Sequence, residues 1–139
     1  MSNGREHTAT TTLIDFIKSQ LANLGLNVQY FPSPKDIEEV FTYIPTVQLP
    51  SAIITYNGSS YSEDPNRIAL FSILVTSRYD LQSEAAVSEY LKLLDSICTA
   101  LDYQVFEDVK FTMVSDEAMR LDKHSLTCSI LLKVKAEDY

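Results

Sequence analysis

Any chemistry in this chain has to come from a short list of side chains. Among 139 residues there are two histidines, His7 near the N-terminus and His124 at the start of an apolar-polar alternation. Asp116, Glu117, Asp122 and His124 stand close enough in sequence to hold a divalent ion. Zinc, however, asks for further ligands at motif spacing, and surface charges around a hairpin connection account for the same residues. Cys98 and Cys128 belong to no CxxC pair and read as small, reduced, buried hydrophobes. Gly4, Gly25 and Gly58 are the only glycines, too few and too scattered for a phosphate-binding loop. No GxSxG elbow presents a serine nucleophile. Paired acids such as Glu38-Glu39 and Glu63-Asp64 fall on predicted solvent faces, whereas catalytic carboxylates need a pocket that shifts their pKa. No catalytic residue, cofactor site or metal site is assigned, and the chain does not read as an enzyme.

Net charge is −8, and the eleven Lys and Arg are scattered. A protein that grips nucleic acid needs a basic patch for counterion release. The acidic balance reads either as a solubility device or as a surface that must not stick to DNA passing nearby. No apolar run approaches the roughly 18 residues of a membrane span, and residues 1–7 lack a signal-peptide core. A cytosolic chain is expected. Residues 1–10 are polar and loose, and 11–139 form one α+β domain.

The elements that would position these residues centre on Ile68–Leu101. Residues 68–75 are apolar on both faces, as in a strand covered on both sides. Ser83 stands at an N-cap position before a helix. Val87, Tyr90, Leu91, Leu94, Ile97, Cys98 and Leu101 then fall within an arc of roughly 120°, one buried stripe. Earlier, Thr11 or Thr12 caps a first helix bearing Leu13, Ile14, Phe16, Ile17, Leu21 and Leu24, and Gly25 ends it at φ > 0. Residues 26–30 read as a short strand and Pro34–Tyr43 as a short helix. Residues 52–56 read as a strand, followed by a long polar loop over 57–67. Residues 108–114 alternate; 115–122 read as a helical turn or a wide hairpin connection. The last strand, 123–135, puts His124, Leu126, Cys128, Ile130, Leu132 and Val134 on one face. At roughly 3.3 Å per residue it is near 40 Å long, so its end or its hairpin should project past the body. The expected fold is a two-layer α+β domain: a mainly antiparallel sheet, helices on one face, a largely polar second face and a projecting β-hairpin.

Loops and the long strand supply the candidate contact residues: Ser59, Tyr61, Glu63, Asp64 and Arg67 on the 57–67 loop, Tyr79 in the corner after residue 78, and Lys133 and Lys135 on the last strand. Tyrosine suits such positions because its ring is apolar and its hydroxyl wet.

The layout resembles the tail-terminator (tail-completion, head–tail joining) proteins of long-tailed bacteriophages. The resemblance lies in the amphipathic first helix (Leu13 to Leu24), then "LPSAIITY" (Leu49 to Tyr56) with proline before a strand. A long hairpin leads to "IALFSILVTSR" (Ile68 to Arg78), the helix "SEAAVSEYLKLLDSICTAL" (Ser83 to Leu101) and a closing β-pair. It implies a structural protein that forms a ring, typically of six copies, on the head-proximal end of the tail tube. There it stops polymerisation and joins the tail to the head. The implied partners are further copies of itself, the tail tube protein and head-completion or connector proteins. DNA passes through without specific binding, and no membrane is involved. The implied location is the host cytoplasm during assembly and then the virion. Two other readings stay open: a binding or regulatory module acting through its polar sheet face or the 57–67 loop, and a small enzyme with a carboxylate cleft.

Overall fold

The computed structural model describes residues 9–31, 49–61, 67–78, 84–121 and 125–136. Among the described residues two helices, α1 (Thr10–Ala22) and α2 (Glu84–Leu101), accompany six strands: β1 (Asn27–Phe31), β2 (Ser51–Tyr61), β3 (Arg67–Arg78), β4 (Val105–Phe106), β5 (Val109–Leu121) and β6 (Ser125–Ala136). They form one sheet in the order β1-β2-β3-β6-β5-β4. Of these strands β1 and β2 run parallel, and β2–β3, β3–β6, β6–β5 and β5–β4 pair antiparallel. Mixed α+β content is therefore established. The expected helix at Pro34–Tyr43 and the Ser83 cap lie outside the described residues.

Helix α1 begins one residue before the anticipated cap. Ala9 is the N-cap, with no side-chain cap bond, and Thr11 and Thr12 fall inside the first turn. Leu13, Ile14, Ile17 and Leu21 recur at helical spacing and are buried. Gly25, at φ 87°, ends the segment, and its N–H donates to the Ala22 carbonyl. A left-handed residue is cheap here because glycine has no Cβ.

In α2 the buried face centres on Tyr90, Ile97 and Leu101. Leu91, counted on the same stripe from sequence, is 53 % exposed, whereas Leu93 packs against the core. Leu91 sits about 100° round the helix from Tyr90, at the rim of the arc. The rest of the stripe spans the core side.

One core cluster joins Leu13, Ile17, Leu21, Ile97 and Leu101 of the helices to alternate residues of the sheet: Ala52 and Ile54, then Phe71, Ile73 and Val75, then Phe111, and Ile130, Leu132 and Val134. Period-two side chains of neighbouring strands meet on one face because the ladder registers them. Phe16 stacks on Phe106 and Phe111, with centroids 4.4 and 5.0 Å away, and so ties α1 to the β4–β5 end of the sheet.

The second face differs from the expectation of an open polar surface. Ser51, Thr76 and Thr127 form a row across β2, β3 and β6 and are at most 3 % exposed; Thr55, Ile53 and Leu74 beside them are buried too. Thr76 and Thr127 share a hydroxyl–hydroxyl bond of 2.8 Å. Hydroxyl side chains look solvent-facing in a sequence, yet Thr76 and Thr127 are buried by satisfying one another, while the Ser51 Oγ in the same row finds no hydrogen-bond partner among the described residues.

Two further segments are more ordered than expected. The loop placed over 57–67 is strand through Tyr61, and pairing resumes at Arg67. A register shift between Tyr56 and Gly58 absorbs one extra residue, with Gly58 at φ 112°. This is the situation in which a bulge uses glycine. Residues 115–121, expected as a helical turn or a connection, extend β5, with shifts at Met113/Ser115 and Ala118/Arg120. The long last strand does not overhang: β6 pairs with β3 from Ser125 to Lys135 and with β5 from Leu126 to Ala136.

Candidate functional site

Several residues singled out from sequence are used inside the fold. Arg67 Nε donates to Ser59 Oγ at 2.9 Å, and Arg67 Nη2 donates to Thr10 Oγ1 at 2.6 Å. The Tyr56 hydroxyl bonds the same Ser59 Oγ. Ser59 and Arg67 therefore tie the β2–β3 end to the start of α1. Tyr61, at the end of β2, is 59 % exposed. Glu63, Asp64 and Tyr79 lie outside the described residues, as do His7, Asp122 and His124.

Lys133 and Lys135 alternate with the core residues Leu132 and Val134, so they point to the face away from the core cluster. Register adds a third cation that the sequence did not reveal. Lys110 of β5 lies directly opposite Lys135, and Thr112 opposite Lys133. Lys110 Nζ also lies over the Tyr103 ring, 4.9 Å from its centroid. On β3 the neighbours are Ile68, opposite Lys135, and Leu70, opposite Lys133; both are half-buried. The result is a basic patch with an apolar floor. The alternation of Val109 and Phe111 with Lys110 and Thr112 could have revealed it, had the β5–β6 register been known.

Farther along β5 the character reverses. Val114, Ser115, Asp116, Glu117 and Ala118 are all exposed, with Val114 at 52 %. Near α2 the outer edge of β5 is occupied: Phe111 N–H donates to the Gln104 carbonyl, Tyr103 N–H to the Phe111 carbonyl, and Met113 N–H to Asp102 Oδ1 at 2.9 Å. Beyond Met113, no strand pairs with that edge among the described residues. The chain thus presents an acidic, half-paired edge strand, a common target for strand addition.

Neither thiol is activated. Burial pushes the Cys98 thiol up, and the carboxylates of Asp102, Asp95 and Asp116 push it further. For Cys128 burial again comes first; Asp116 and Glu117 add to it, against a bond with the Tyr90 side chain. A nucleophilic cysteine needs the opposite, an electropositive setting. Among the described residues, no three His, Cys, Asp or Glu side chains come together as a metal site. Among those residues, too, no helix is long and apolar enough to cross a membrane. The arrangement offers surfaces for contact. Compared with known protein families and with curated protein sequences, the chain finds no match in either.

Proposed function

We propose that this chain is a structural subunit of a phage-type tail, a terminator that assembles as a ring on the tail tube and offers the opposite surface to the head. In this reading the helices form one layer over the sheet, and the exposed stretch of β5 around Asp116 and Glu117 is the contact surface. The partners are further copies of the chain, the tube protein and the head-completion proteins, and DNA passes through an acidic lumen unbound. Assembly takes place in the host cytoplasm, and the finished protein is part of the virion.

The observation that carries the reading is the edge strand β5. From Ser115 to Ala118 it is exposed while still paired to β6. An exposed edge of this length is an aggregation hazard unless charge protects it or another chain covers it. The Asp116-Glu117 pair supplies the charge, and a neighbouring subunit would supply the cover. Repetition of one such contact around an axis closes a ring without any chemistry.

The test is physical. Light scattering combined with negative-stain imaging should show rings, either in solution or when the protein is mixed with tail tubes. A chain that stays monomeric and leaves tube ends uncapped would refute the proposal.

A further inference from the structure

We infer that Asn57 is a latent modification site. Its side-chain amide cyclises onto the Gly58 nitrogen and deamidates when the β2–β3 end opens, and the Ser72 and Thr55 side chains hold it unreactive in the closed sheet.

The bulge sets up the chemistry. Tyr56 is opposite Phe71 and Gly58 opposite Leu70, so Asn57 is the extra residue on β2. Gly58 takes φ 112°, a conformation in which any side chain would be strained. The same missing Cβ leaves the Gly58 nitrogen unhindered, and an asparagine followed by glycine closes a five-membered ring more readily than other pairs. A residue that the backbone geometry requires thus brings a reaction with it.

That reaction uses water alone. The Gly58 N–H gives its proton to solvent base, and the nitrogen attacks Asn57 Cγ. The new C–N bond closes a succinimide, the Cγ–Nδ2 bond breaks, and the amide nitrogen takes up a proton and leaves as ammonia. Water then adds to either ring carbonyl and opens it to aspartate or isoaspartate. An amide and water have become a carboxylate and ammonium, and no oxidant or reductant takes part.

The closed sheet opposes the first step. Asn57 Nδ2 donates to Ser72 Oγ at 2.6 Å, across the ladder on β3, and Thr55 Oγ1 donates to Asn57 Oδ1 at 3.3 Å. These bonds hold the amide over the face of the sheet, whereas strand N–H groups lie in its plane. Ring closure has to break the Ser72 bond and turn the backbone out of its extended form. Thr55 is 1 % exposed and fixes one side of the clamp; Asn57 is exposed, open to the water that the second step consumes. Slow chemistry of this kind samples the open fraction of the hairpin end. Isoaspartate would add a carbon to the β2 backbone just before Ser59, whose Oγ accepts from Arg67 at 2.9 Å. The product therefore loosens the tie between the β2–β3 end and α1, and its amount records how long that end has stood open.

Peptide mapping by mass spectrometry on the full chain, aged at mildly alkaline pH in buffer and in urea, tests this. Residue 57 should deamidate at least about tenfold more slowly in the folded chain than in the unfolded one. Ser72→Ala, with its fold checked by circular dichroism, should raise the folded rate about fivefold and leave the rate in urea unchanged. Asn57→Gln, whose ring would need a sixth member, should give no product at that position in either state. Equal rates in the folded and unfolded wild type overturn the protection. An unfolded chain that keeps its Asn57 amide overturns the site. A folded Ser72→Ala variant that ages like wild type overturns the clamp.

Discussion

The buried hydroxyl pair on the second face gives a sharp test of how this sheet is held. Thr76 is 0 % and Thr127 3 % exposed, and their Oγ1 atoms lie 2.8 Å apart. Replacing either with valine keeps the shape and removes one hydroxyl, leaving the other buried without its partner. The cost of such an orphan is about 1–2 kcal/mol, whereas removing both partners is close to neutral. Thr76→Val and Thr127→Val should therefore each destabilise by about 1.5 kcal/mol. The double variant should lie within about 1 kcal/mol of wild type, a departure from additivity of about 2 kcal/mol. Urea unfolding measures this directly. With a slope of about 1–3 kcal/mol/M, each single change should lower the midpoint by roughly 0.5–1.5 M, and the double change should restore most of it. If the double variant loses the sum of the two single losses, the hydroxyls are not coupled, and the account of the buried polar row fails.

Gly25→Ala should cost about 1 kcal/mol, read as a lower thermal midpoint, because a Cβ meets no neighbour there and the penalty is the positive φ alone. Gly58→Ala, also with open space but at φ 112°, should cost more, about 1–3 kcal/mol. Both thiols should alkylate more slowly in the folded chain than in the unfolded one at pH 8, since each pKa is raised above the ordinary 9.0. The sign for stability follows from protons bound. Near and just above pH 9 the folded state holds protons that the unfolded state has released. The thiol contribution is therefore fully present below pH 9 and is lost as pH rises through the folded-state values. Alkylation profiles that match free cysteine would contradict this placement.

Strongly periodic elements were readable from the residues alone. The α1 face, the centre of the α2 stripe and the inward residues of β6 follow from spacing, because each pattern repeats often enough to exclude the other period. Gly25 was readable because a helix end that needs a left-handed residue has few alternatives. The outer half of β5 was not: Ser115-Asp116-Glu117-Ala118 has the composition of a turn or helix start, and only pairing with β6 makes it a strand. The second face failed for a related reason, since serine and threonine read as wet until a neighbouring strand shows what they bond to. Of the contact residues, Lys133 and Lys135 were visible as an alternation. Lys110 joins them only through register, and Arg67 donates to both Ser59 and Thr10.

Asp102 gives the β5 edge a direction. Its carboxylate takes the Met113 N–H at the point where α2 runs into the sheet, so one end of the edge is plugged, and past Met113 no strand pairs with it among the described residues. A strand arriving from another molecule could not slide along the whole length of β5. It would meet a stop at Met113 and settle in a single offset, and in the proposed ring every copy would then be set at the same angle to its neighbour.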